Sequence, residues 1–250
     1  MTTLHLLGTG AAFSDAHRTT TMLAVEVRGS IVVIDCGGDV VQRLMAAGLD
    51  LDQIEALIIT HEHADHVGGF PLFMEKIWLA GRRRSIAVYG IAPALDQARR
   101  LWESFDTSTW EGVPPIDWRE VAYHANASLI DDATWRITAS PVDHSKPCIG
   151  LRIESRRDGA LLAYSCDTAP TDTVVALADG VDLLVHEATG EGYGHSSAAQ
   201  AANIAARAAA RRLLLVHLPP AALLDEPLLA EARRQFAALE LGEEGGNYPI

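Results

Sequence analysis

Six consecutive residues, His61-Glu62-His63-Ala64-Asp65-His66, constrain this chain more than anything else in it. They follow a short apolar run, 56–60, that reads as a strand buried on both faces. In extended backbone, residues two apart point the same way, so His61 and His63 can grip one metal ion together. Asp65 and His66 come where Val67-Gly68-Gly69 turns the chain into a helix, and they can face a second ion nearby. Imidazole and carboxylate are ligand types that Zn²⁺ accepts at short distance. With His at 10 of 250 positions, such a cluster would arise by chance in about one sequence per thousand. The expectation is a metal site, not a solvated polar patch.

Six residues cannot complete two metal shells, so further ligands must come from elsewhere. Val142-Asp143-His144-Ser145, Tyr164-Ser-Cys-Asp167-Thr168 and Leu213-Leu-Leu-Val-His217 each end or follow an apolar run with one ligand-type residue. Open sheets commonly carry their sites at such carboxyl ends. The candidate metal ligands are therefore His61, His63, Asp65, His66, His144, Asp167 and His217.

The rest of the chain alternates short apolar runs with helical patterns, as an α/β protein does. Strands are expected over 4–7, 20–27, 30–35, 56–60, 86–89, 128–130, 134–139, 148–154, 161–164, 183–185 and 213–216. Helices are expected over 40–47, 94–105, 171–177, 197–210 and 226–239, with one more after Gly69. No Pro-, Gly- or Ser-rich linker interrupts them, so 1–250 reads as a single domain of two facing sheets with helices outside. A formal charge of −13 argues against a broad nucleic-acid surface, which needs clustered Lys and Arg. Arg82-Arg83-Arg84 is expected to be a solvated loop face. No run approaches the ~20 apolar residues of a membrane span, and no cationic leader precedes an apolar stretch. Three widely spaced cysteines, Cys36, Cys148 and Cys166, suit reduced thiols in a cytoplasmic protein.

Leu6-Leu-Gly-Thr-Gly10, Ile34-Asp-Cys-Gly-Gly38, the six-residue motif and His217 together resemble the metallo-β-lactamase superfamily. Within it, His186-Glu187-Ala188-Thr189 and Gly194-His195-Ser196-Ser197 resemble the ribonuclease Z group of phosphodiesterases. The resemblance implies a four-layer αββα sandwich and two divalent ions, Zn²⁺ or alternatively Mn²⁺. It places His61, His63 and His144 on one ion, and Asp65, His66 and His217 on the other, with Asp167 bridging. It also puts His195 over the scissile phosphate, oriented by Glu187. That pairing makes sense unaided: a carboxylate fixing one imidazole nitrogen leaves the other free to donate a proton. Ser196 is expected to cap the helix that follows. His186 reads as structural, and His5, His17 and His124 have no assignable role.

Some positions depart from that group. Only 22 residues, 145–166, lie between His144 and Asp167, which is room for a hairpin but not for the group's tRNA-gripping arm. Leu218-Pro219-Pro220 stands where an aromatic, a serine and an arginine are usual, and Cys166 and Ala64 replace usual glycines. These features suit a small phosphodiester or the 3′ region of an RNA, with a homodimer allowed. In the expected chemistry, two ions ~3.5–4 Å apart share a water and lower its pKa from ~15.7 toward ~7. Asp65 relays its proton and His195 protonates the leaving alkoxide. Two rivals stand beside this reading. One is a hydrolase of a small ester, lactone, thioester or β-lactam on the same metals; the other is a non-catalytic binding protein stapled by metal.

Overall fold

The computed structural model describes residues 1–224 and 226–250. Six strands come first: β1 (Thr3–Gly8), β2 (Met22–Val27), β3 (Ser30–Ile34), β4 (Ile54–Ile59), β5 (Ile86–Gly90) and β6 (Ile116–Glu120). Then come β7 (Ala127–Asp131), β8 (Trp135–Pro141), β9 (Ile149–Ser155), β10 (Leu161–Tyr164), β11 (Leu183–Glu187), β12 (Leu213–Val216) and β13 (Leu239–Leu241). A final strand, β14 (Asn247–Pro249), returns to pair with β1. The two sheets have the orders β14-β1-β2-β3-β4-β5-β6 and β13-β12-β11-β10-β9-β8-β7.

Both halves follow one plan. From β14 through β3, and from β7 through β10, neighbours are antiparallel. From β3 to β6, and from β10 to β13, they are parallel. Antiparallel neighbours need only tight turns, and Arg28-Gly29 supplies one with φ of 51° and 82°, the positive pair a two-residue hairpin demands. Parallel neighbours need a crossover, and each has a helix. The crossovers are α1 (Val40–Ala46), α2 (Ala64–Val67) with α3 (Phe70–Leu79), α4 (Ala92–Glu103), α5 (Asp172–Leu177), α6 (Ala198–Arg207) and α7 (Glu226–Gln235). The helices cover the outer faces, giving the expected αββα sandwich. Between the sheets lies a continuous apolar core whose largest fully buried side chains include Trp135, Tyr164 and Phe70. Trp135 on β8 donates its indole N–H to Ser30 Oγ on β3 at 2.9 Å, tying one sheet to the other.

Strand direction positions the site. β3 and β4 run parallel in one sheet. In the other, β8 is antiparallel to β9 and β9 to β10, so β8 runs with β10, β11 and β12. The carboxyl ends of these six strands carry or lead into Asp35, His61, His144, Asp167, Glu187 and His217.

Several expectations are corrected. The last helix stops at Gln235, and Leu239 opens β13 instead of closing that helix. β6, β13 and β14 were not foreseen: β6 is Ile-Asp-Trp-Arg-Glu with a largely polar face, and the other two are three-residue edge strands. Arg82 is not solvated. It is 2% exposed, and its guanidinium donates to the carbonyls of Leu51, Arg84 and Ser85, pinning two loops. All three cysteines are free and buried. Among the described residues, no helix is long and apolar enough to cross a membrane.

Candidate metal centre

The six-residue motif bends at the end of β4, and its backbone is held against the 35–38 loop at van der Waals limits. A Cβ on Gly37 would sit 1.7 Å from Asp65 O, and one on Gly69 would sit 2.2 Å from Gly38 O. Only glycine permits this approach, which carries Cys36 N to within 2.8 Å of His66 O. Thus the Cys-Gly-Gly after β3 fixes where Asp65 and His66 stand.

All seven candidate ligands converge. One group joins His61, His63, His144 and Asp167; the other joins Asp65, His66, Asp167 and His217. Within the first, His63 Nδ1 lies 3.0 Å from His61 Nε2 and 3.1 Å from His144 Nε2. Within the second, His217 Nε2 lies 3.3 Å from Asp65 Oδ2 and 3.4 Å from Asp167 Oδ2, and His66 Nε2 lies 3.4 Å from Asp167 Oδ2. Ligands ~2.0–2.1 Å from a tetrahedral ion stand ~3.3 Å from each other, so these spacings suit one ion per group. Of the six buried side-chain atoms without a hydrogen-bond partner among the described residues, two, His66 Nε2 and Asp167 Oδ1, belong to the ligand set. Buried polar atoms are rarely left so, and these two face the other candidate ligands. Among the described residues, Asp65 and Asp167 pair only with histidines and never with Lys or Arg. The residues present therefore fit two cations.

A second ring of contacts aims the imidazoles. His66 Nδ1 donates to Asp35 Oδ2 at 2.8 Å, His144 Nδ1 to Gly194 O at 2.8 Å, and His217 Nδ1 to Thr189 Oγ1 at 2.6 Å. Each leaves Nε2 as the nitrogen that faces the centre. Asp35 also accepts from Thr60 N and Thr60 Oγ1. Burial, aided by the His66 charge, drives the pKa of His61 well below the usual histidine range, which keeps its lone pair. Burial also opposes a charge on His66, but Asp167 and Asp35 outweigh it and push its pKa well up. Burial raises Asp65 and Asp167, yet neighbouring histidines prevail and hold both carboxyls well below their ordinary range.

His195 sits at the rim, its ring 5.0 Å from that of His144 and 5.8 Å from that of His217. Its Nδ1 lies 3.0 Å from Glu187 Oε1, the pairing the sequence suggested. That hydrogen bond, against partial burial, raises the His195 pKa. Glu187 does more than orient this ring. It is fully buried and also accepts from the backbone N–H of Thr168, Thr189 and Ser196, stitching three loops together. The helix cap is corrected too: Ser197, not Ser196, caps α6, in a reciprocal box with Gln200. Ser196 Oγ instead donates to Thr168 O at 2.7 Å. Cys166 adopts φ of 52°, a left-handed conformation that glycine takes up with less strain than cysteine.

Asp35 and Thr189 were quoted in the sequence motifs but given no role. Asp35 follows an apolar run just as His61 does, so the signal was present. Thr189 gave none. Phe13, 79% exposed, and Ala11 and Ala12 join His63, Asp65, Asp167, Thr189, His195 and His217 in lining the cleft; the β1–β2 loop announced nothing of the kind. His186 is buried, with Nδ1 on Glu187 O. His5 bonds Asn247 and Glu26 away from the centre, and His17 and His124 are exposed. β9 and β10 meet through residues 156–160, a plain hairpin with no arm.

Comparison with known proteins bears on this geometry. Residues 31–218 match a family model described as the beta-lactamase superfamily domain. A ribonuclease Z of Methanothermobacter thermautotrophicus is 26% identical over 95% of this chain and 93% of its own. One from Salinibacter ruber is 30% identical over 98% and 93%. The crystal structure of human tRNase Z, short form, superposes with a TM-score of 0.81 at 24% identity, covering 99% of this chain and all (100%) of that one.

Proposed function

Because the chain belongs to the β-lactamase superfamily, we propose that it is a binuclear metal-dependent phosphodiesterase of the ribonuclease Z type. The observation that carries the phosphodiester reading is the Glu187–His195 pair standing over both donor groups. A phosphodiester has a poor leaving group, and an acid placed there serves it. An activated ester or a lactam needs an oxyanion donor more than an acid.

In this reading His61, His63 and His144 would hold one divalent ion, Asp65, His66 and His217 the other, and Asp167 would serve both. Zinc suits the donors, with manganese as the alternative. Such ions would supply Lewis acidity toward the phosphoryl group and make a nearby water more acidic. Asp65 Oδ2 lies among the donors of the second group and receives the proton released as the nucleophile attacks. His195, protonated through its bond to Glu187, gives its Nε2 proton to the departing alkoxide. Glu187, fixed by three backbone N–H groups, keeps that nitrogen turned into the cleft. α6 begins at Ala198, three residues after His195, and its amino end adds a positive dipole on the side of the substrate anion.

The relatives named ribonuclease Z make precursor tRNA one candidate substrate. The plain β9–β10 hairpin and the −13 charge favour a smaller phosphodiester. The zinc-loaded protein assayed side by side on bis-p-nitrophenyl phosphate, a lactone panel and precursor tRNA tests the reading. Hydrolysis of the phosphodiester is the expected result. Lactone opening without phosphodiester hydrolysis would replace it with the ester rival, and inactivity on all three with the metal-stapled binding protein.

A further inference from the structure

One side of the metal cleft is made by the β1–β2 loop, whose Ala11, Ala12 and Phe13 line it. Residues 10–19 leave β1 and come back beside it, closed by Gly10 N donating to Thr19 O at 2.8 Å. Gly8 permits that return, since a Cβ there would stand 2.0 Å from Thr20 O. Glu244 grips both ends of the loop. It comes from the turn between β13 and β14, which is itself fixed: Gly242 N donates to Leu215 O at 2.7 Å and Gly245 N to Leu6 O at 2.9 Å. Glu244 Oε2 accepts from Thr9 N and Thr9 Oγ1, and Oε1 from Thr19 N, all at 3.0 Å. Arg43 on α1 pairs with Oε1 at 3.2 Å, compensating a carboxylate that is only 16% exposed. Thr9 is inaccessible, so its N–H would find no water if this carboxylate were gone.

The loop also braces the chain just after His217. Leu218 N donates to Thr9 O, and Ala11 N and Ser14 Oγ donate to Leu218 O, each at 2.9 Å. Arg18 donates to Pro219 O at 3.4 Å, and Ala221 N donates to Asp15 Oδ2 at 2.8 Å. Pro219 and Pro220 have no N–H to offer, so the loop meets this segment through its carbonyls. Phe13 stands at the mouth of the cleft, 79% exposed, on a loop tied down on two sides. A phenyl ring so exposed fills no core, and its open face meets whatever enters the cleft.

We propose that Glu244 is a positioning residue: by clasping Thr9 and Thr19 it fixes the loop that sets Phe13 as an apolar wall against the substituents of the substrate. The proposal rests on the phosphodiesterase reading but can fail separately from it. Glu244→Gln is the test, because whichever way the amide turns, an N–H of Thr9 or Thr19 faces another donor and one end of the loop is released. Trypsin reads the clasp without any activity. The zinc-loaded variant should be cut after Arg18, inside the loop, about tenfold faster than the parent. Cutting after Arg157, in the exposed β9–β10 hairpin, should keep its parental rate, which global destabilisation would not allow. On bis-p-nitrophenyl phosphate, Glu244→Gln and Phe13→Ala should each raise KM roughly three- to tenfold with kcat within about twofold. The double variant should be little worse than Phe13→Ala alone, whereas independent losses would multiply. Unchanged cutting after Arg18, an unchanged KM, or effects that multiply would overturn the proposal and leave the phosphodiesterase reading intact. A parent inactive on this diester would overturn that reading instead. Calorimetry with diphenyl phosphate on the same four proteins then decides: binding weakened by both variants without multiplication sustains the clasp, and equal binding in all four, or none in any, overturns it.

Discussion

Asp35→Asn isolates what holds His66 in place, because it removes a charge and one acceptor without changing shape. In the parent, Oδ1 accepts from Thr60 N at 2.9 Å and Oδ2 accepts from His66 Nδ1 at 2.8 Å, and Asp35, His66 and Thr60 are all essentially inaccessible. An asparagine has one oxygen and one NH₂. Whichever way the amide turns, one buried donor, Thr60 N–H or His66 Nδ1–H, faces another donor. Leaving such a group unsatisfied costs ~1–3 kcal/mol. His66 can escape by moving its proton to Nε2, but that atom points at Asp167 and is the one a metal needs. Loss of an orienting partner of this kind lowers metal affinity ~10–100-fold. Two measurements check it: urea unfolding of the metal-free proteins, and zinc titration against a chromophoric competitor. The expected variant is ~1–3 kcal/mol less stable and holds its second zinc ~10–100-fold more weakly. Two zincs bound at parental affinity would refute the argument that Asp35 sets the His66 tautomer.

Further outcomes follow from the same geometry. The parent should hold close to two divalent ions per chain by elemental analysis, and Asp167→Ala should deplete both, since Asp167 belongs to both donor groups. Loss of only one ion would remove its bridging role. His195→Ala should keep full metal content yet lose ~10²–10⁴ in rate on an alkyl phosphodiester, with little loss on p-nitrophenyl esters and none for His17→Ala. Because Glu187 raises the His195 pKa, the acid form persists to higher pH than for an ordinary histidine, and the alkyl-ester rate should fall only as pH rises through that raised value. The stability of the pair carries the same sign: it is fully present below the unfolded-state pKa and lost as pH rises through the folded one. Glu187→Gln should move the rate fall to lower pH, and an unmoved profile would exclude Glu187 as the positioning residue.

The sequence by itself singled out the candidate ligands and the kind of sheet that presents them. His61-Glu62-His63-Ala64-Asp65-His66 sits directly after a buried strand, and alternation of side-chain direction in extended backbone is a local property, legible without a fold. His144, Asp167 and His217 were legible for the same reason, each following an apolar run. Only the tertiary structure decided which groups orient those ligands. Asp35 meets His66 across 31 residues, Gly194 meets His144 across 50, and Thr189 meets His217 across 28, separations that no local pattern encodes. Arg82 shows the same limit from the other side: three adjacent arginines read as solvated, yet the first is buried because the loops around it present carbonyls that only folding brings together. β13 and β14 are too short to carry periodicity and exist because existing sheet edges accept them. The clasp of Glu244 on the β1–β2 loop has no sequence signature at all. Glu244 meets Thr9 across 235 residues and Thr19 across 225, and which donors such a carboxylate finds is settled by packing alone.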